Sequence, residues 1–158
     1  MLLNNFSNIL SAKLTYGSGT NLGDKVNYIK TTDGRTYEKD VNTNNIYLNA
    51  ISNNNKKEGI RFILSNDKNE INYYDYNIDY IDDELTEIGT TINNSNNYII
   101  SKIVKNNTND NINISSIGLI VCSYINGSYK DILIYKSKLN ETIIIEPGET
   151  KTFTITIG

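Results

Sequence analysis

Residues 152–157 alternate without a break. Phe153, Ile155 and Ile157 fall on one side of an extended chain, and Thr152, Thr154 and Thr156 fall on the other. Side chains along a β-strand point to opposite faces in turn. This segment therefore predicts a strand with one packed face and one wet face, which is what the sheets of an antiparallel sandwich require. The stretches before it are of the same kind. Gly59 to Leu64, Tyr98 to Val104, Ile117 to Cys122 and Thr142 to Ile145 are short apolar runs set between polar turns. Asn126-Gly127 is a type I′ hairpin signal joining residues 119–125 to 128–135. Asp33-Gly34 marks a second hairpin, between strands at 26–30 and 35–38, and Glu146-Pro147-Gly148-Glu149 marks a turn before the last strand.

Composition supports this reading. The chain holds 27 Asn and 26 Ile, and twelve Tyr beside three Phe and no Trp. Isoleucine and tyrosine suit strands, while asparagine suits turns and disfavours helix interiors. The expected fold class is all-β, an antiparallel β-sandwich with one or two short helices. Residues 1–58 form an N-terminal arm and strands of the same domain, with a strand candidate at 42–50 and a surface loop at 53–57. Residues 59–158 form the sandwich core, with a bulge or bend expected at Ser115-Ser116. One helix is expected over 79–89, where Ile78, Ile81, Leu85 and Ile88 share a face. Asp79 is placed to cap its start and Gly89 its end, with Asp82, Asp83 and Glu84 in the early turns. At the N-terminus, Leu3, Phe6, Ile9 and Leu10 recur at helical spacing, as a short helix or as an arm that docks on a neighbour. Lys13 to Tyr16 begin a further strand.

The inventory of reactive groups is short. There is no histidine, which excludes His-dependent zinc sites and the Ser-His-Asp arrangement. One cysteine, Cys122, excludes Cys-rich metal sites and an internal disulfide; it lies in the apolar run 119–122 and is expected as a reduced thiol near the core. Gly17-Ser18-Gly19 lacks the Gly-Lys-Ser/Thr of a phosphate loop. The acids of 75–87 lack EF-hand spacing and are expected to line a solvated face. No catalytic residue, cofactor or metal is expected. A formal charge of −3 without a basic patch argues against nucleic-acid binding. No apolar run approaches the length of a membrane span. The first ten residues lack the basic and long apolar regions of a signal peptide, so the chain is expected to be made and folded in a cytoplasm. What remains is contact chemistry. Tyr73, Tyr74, Tyr76 and Tyr80 are dense enough for a protein interface or a sugar contact. With Leu2, Leu3, Phe6, Ile9 and Leu10 they form the candidate interface set.

The C-terminal half resembles a family. Asn111-Ile112-Asn113-Ile114-Ser115-Ser116-Ile117-Gly118-Leu119 is similar to the "ITISEIGL" segment of small tailed-bacteriophage virion proteins. In that family a variable hairpin follows, and a "PGET.TFT.TI" strand closes the chain. Here Glu146-Pro147-Gly148-Glu149-Thr150-Lys151-Thr152-Phe153-Thr154-Ile155-Thr156-Ile157 stands in that place. Gly59 to Leu64 and Asp75-Tyr76-Asn77-Ile78 resemble its upstream elements. Ser116 stands where the family usually has glutamate, and Ser65 and Asn66 replace a turn glycine. The resemblance covers roughly residues 59–158. It implies a structural component of a tailed phage or phage-like particle, assembled in the bacterial cytoplasm and making contacts in head, neck, tail or baseplate. Its partners would be other virion proteins and copies of itself. A tail-tip module that binds a receptor or a host surface glycan is the alternative.

Overall fold

The computed structural model describes residues 1–16, 29–37, 59–81, 84–93, 98–125 and 127–157. The expected strands at 42–50, the loop at 53–57, and Asp82 and Asp83 lie outside the described residues. The fold is predominantly β, with antiparallel, sandwich-like sheets. One helix, α1 (Asn4–Tyr16), precedes eight described strands: β1 (Ile29–Lys30), β2 (Thr36–Tyr37), β3 (Gly59–Ser65), β4 (Leu85–Asn93), β5 (Tyr98–Asn106), β6 (Ile112–Ile125), β7 (Ser128–Ile145) and β8 (Thr150–Ile157). They form a small sheet β1-β2 and two three-stranded sheets, β3-β6-β7 and β4-β5-β8. The chain divides into two compact units. One contains Met1–Arg61, Glu70–Ile78 and Gly118–Ser137, and the other Phe62–Asn69, Asp79–Ile117 and Lys138–Gly158.

The second unit holds the strand read most directly from sequence. Phe153 and Ile155 are buried and the threonines between them are exposed, as alternation requires. β8 pairs with β5 from Tyr98↔Ile157 to Lys105↔Thr150, and Ile100 and Val104 of β5 are buried beside them. Lys102 shares that inner face and is only 5% exposed. Its Nζ donates to the Phe62 carbonyl at 2.9 Å and lies 3.3 Å from Glu87, so the buried cation has both an acceptor and a counter-charge.

Two local expectations are corrected. Leu85 to Gly89 are strand, not helix. Thr86, Ile88, Thr90, Thr91 and Ile92 are β-branched, and pairing with β5 supplies backbone partners that a short isolated helix lacks. A bulge between Glu87 and Gly89 shifts the register, which leaves Ile88 55% exposed rather than packed. Lys13 to Tyr16 continue α1 instead of starting a strand, because extending a nucleated helix is far easier than starting a new element. Ser115-Ser116 lie within β6. There the Ser115 hydroxyl meets that of Thr142 at 3.0 Å, which satisfies a polar group inside the sheet.

Asn106 ties the second unit together. It is fully buried. Its side-chain amide donates to the carbonyls of Asp110 and Ile145 at 2.8 and 2.9 Å. Its side-chain oxygen accepts from the Thr108 N–H and hydroxyl at 2.9 and 2.7 Å. Its backbone exchanges bonds with Glu149 and Gly148 in the turn before β8. Gly148 adopts φ 78°, which a glycine takes without strain. Replacing Asn106 by alanine strands buried carbonyls and N–H groups, and we expect a loss of about 2–4 kcal/mol in urea unfolding. Asn109→Ala, at an exposed loop position, should stay within about 0.5 kcal/mol of the parent.

Candidate functional site

In the first unit, residues 1–5 close the outer edge of β7. Leu3 N–H donates to the Ile134 carbonyl at 2.9 Å, and Lys136 N–H donates to the Met1 carbonyl at 3.1 Å. Leu2 pairs with Tyr135 as an antiparallel bridge. The Met1 amine donates to the Lys136 carbonyl at 2.7 Å, and burial lowers its pKa. Further along, Thr32 N–H donates to the Asp131 carbonyl at 2.9 Å. Asn5, buried at the start of α1, completes the seam: its amide donates to the carbonyls of Lys30 and Leu133, and its oxygen accepts from Lys30 N–H.

The loop of residues 72–76 docks on this seam. Tyr74 N–H donates to the Asn72 side chain and Asn72 N–H to Asp75 Oδ2, closing the loop on itself. Asn4 N–H donates to the Tyr73 carbonyl at 2.9 Å, and the Tyr73 hydroxyl donates to Ser7 Oγ at 3.0 Å. Lys136, almost fully buried, lies 3.4 Å from Asp75. The Lys30 ammonium stands 3.5 Å over the Tyr76 ring, a cation–π contact. The result is a cavity of about 290 Å³ lined by Asn4, Asn5, Lys30, Tyr74, Asp75 and Tyr76.

The candidate interface residues separate accordingly. Leu3 and Ile9 are fully buried within their own unit, and Leu2 and Phe6 are partly covered; Leu10 is exposed. Tyr73, Tyr74 and Tyr76 come together at the cavity. Tyr80 belongs to the other unit, where its side chain is exposed. Of the acidic stretch, Asp75 joins the cavity and Glu87 pairs with Lys102, while Glu84 is exposed. Among the described residues no three His, Cys, Asp or Glu side chains gather as a metal site. Also among these residues, no helix is long and apolar enough to cross a membrane. Cys122 is buried.

Sequence reasoning passed over one surface feature. Tyr124 and Tyr129 are both exposed and pack edge to face, with ring centroids 5.2 Å apart at 69°. The signal was present: the Asn126-Gly127 hairpin pattern in the sequence predicts residues 124 and 129 opposite each other.

Comparison with protein-family models, with curated proteins and with solved structures finds no match to this chain.

The turn beside the cavity titrates. Asp33 accepts from Lys130 Nζ at 2.9 Å and from the Thr31 hydroxyl at 2.5 Å, with Arg35 N–H as a further donor. The Lys130 bond foremost, then that of Thr31, holds its carboxyl well below the ordinary 3.8. Glu149, in the other unit, is also lowered, chiefly by a hydrogen bond from Lys151. A depressed folded-state pKa contributes stability above the unfolded value, lost as pH falls through the folded one. Thermal melts between about pH 5 and pH 2 should therefore lose stability on acidification, and Asp33→Asn should flatten part of that loss. Asp33 is exposed, so the difference should be small and shrink in high salt.

Proposed function

We propose that this chain is a structural subunit of a tailed phage or phage-like particle, assembled in the bacterial cytoplasm and held by contacts with other particle proteins and with copies of itself. The observation that carries the reading is the ordered likeness of four segments to small virion proteins. Those segments are folding elements here: Gly59 to Leu64 lie in β3, residues 112–119 in β6, and residues 146–157 form the turn and strand β8. The fourth, residues 75–78, lends Asp75 and Tyr76 to the cavity and buries Ile78. A likeness concentrated in strands and turns speaks for a shared framework, and a framework protein acts through its surface.

The surface offers suitable groups. Exposed tyrosines supply large, stiff contact area with a polar tip, and such residues are enriched at protein interfaces. Tyr124 and Tyr129 form such a pair at a hairpin end. Because both are exposed, changing them to serine should cost no more than about 0.5–1.5 kcal/mol, the worth of their edge-to-face contact, and leave the fold intact.

The experiment is to purify particles from an induced culture of the cell that encodes the chain and to quantify the chain across a density gradient by mass spectrometry. The chain should peak with the particle fractions at fixed stoichiometry. The Tyr124→Ser/Tyr129→Ser variant should remain folded and be depleted from them. A chain that is strictly monomeric and absent from every particle fraction would overturn the proposal.

A further inference from the structure

The cavity of the first unit contains two kinds of polar group. Asn5 has its amide and its oxygen committed to Lys30 and Leu133. Its neighbours do not. The Asn4 side chain, the hydroxyls of Tyr74 and Tyr76, and Asp75 Oδ1 make no hydrogen bond among the described residues. Lys30 is half-buried as a residue and its Nζ faces the Tyr76 ring; among the described residues it meets no oxygen acceptor. An ammonium held over a π-face keeps its N–H donors available for an anionic acceptor.

The aromatic part is preset. Tyr74 is 67% exposed, yet it meets Tyr73 in a T-shaped contact, with centroids 5.1 Å apart at 77°. Tyr73 is itself tied to Ser7. The Tyr74 ring is thus a supported platform, and an aromatic face of this kind takes the C–H face of a sugar ring. An amide and a carboxylate beside it supply the paired donor and acceptor that adjacent sugar hydroxyls need. Asp75 is already matched by Lys136 at 3.4 Å, whereas Lys30 meets no carboxylate among the described residues, so Lys30 is the cation the cavity offers. The volume lies at the small end of ligand sites, which run from about 300 Å³ upward, and suits one or two rings.

We propose that this cavity binds an acidic saccharide, a glycan unit bearing a carboxylate. Lys30 engages the carboxylate, Tyr74 stacks on the ring, and Asn4 and Asp75 take the hydroxyls. A small anion brings charge beside the Asp75 carboxylate without the array of hydroxyls that a sugar ring offers it. This inference stands apart from the particle reading, and either can fail alone.

The test is calorimetric titration of the full chain with oligosaccharides containing glucuronate, galacturonate or N-acetylneuraminate, with neutral N-acetylglucosamine tetramer and inorganic phosphate as comparison probes. At least one acidic oligosaccharide should bind saturably at one site, about tenfold or more tighter than the neutral tetramer and than phosphate. Lys30→Gln should erase the preference for the acidic ligand, and Tyr74→Ser, at an exposed ring, should weaken acidic and neutral ligands together. Circular dichroism melts establish that both variants are folded. Absence of saturable binding by every acidic oligosaccharide overturns the proposal. So does equal binding of the neutral tetramer or of phosphate, or affinity unchanged in both folded variants.

Discussion

A strand at the edge of a sheet presents backbone groups that must be paired, hydrated or covered. β7 runs for eighteen residues and is the outer strand of its sheet. In the first unit its edge is closed by the chain's own beginning. Met1 and Leu3 take the backbone of residues 134–136, Asn5 takes Leu133, and Thr32 takes Asp131. Much else in that unit follows from this seam. It fixes α1 against the sheet, buries Leu3 and Ile9, presents Asn4 to the loop at Tyr73, and sets Lys30 beside Tyr76. The cavity is a by-product of sealing an edge with side chains as well as backbone.

The polar interior is the second theme. Two buried asparagines, Asn5 and Asn106, each join segments far apart in sequence, and both engage their amide and their oxygen. Two nearly buried lysines, Lys102 and Lys136, each stand beside an acid, Glu87 and Asp75. Such groups are tolerated only when satisfied, and removing one partner costs more than the bond itself is worth. They add little net stability but disfavour alternative strand registers, because a slip would leave them stranded.

This explains what the sequence made legible. Local signals worked: the alternation of residues 152–157, the strand at 59–64 and the hairpin around Gly127 depend on neighbouring residues alone. The strand at 85–93 was misread because Ile78, Ile81, Leu85 and Ile88 mimic a helical face. In fact the bulge at Ile88 breaks the two-residue period there. Asparagine is a turn residue by local rules, and nothing near Asn5 or Asn106 announces an internal tie. The tyrosines at 73–76 stood out by density, but Asn4 and Lys30 reach them from separate segments, and only the tertiary fold assembles that set.

The seam has a kinetic side. Met1 and Lys136 are 135 positions apart, so the contact closing the β7 edge is among the most non-local a chain of this size can form. Non-local pairings form slowly because the loop must be closed before any contact rewards it. The residues that cover the edge leave the ribosome before β7, yet they cannot dock until their strand has been made. Once made, and until they dock, β7 offers the same row of groups to any chain nearby, including residues 1–5 of another copy. The cover that makes the finished unit self-contained therefore also sets the time window in which two copies can trade it.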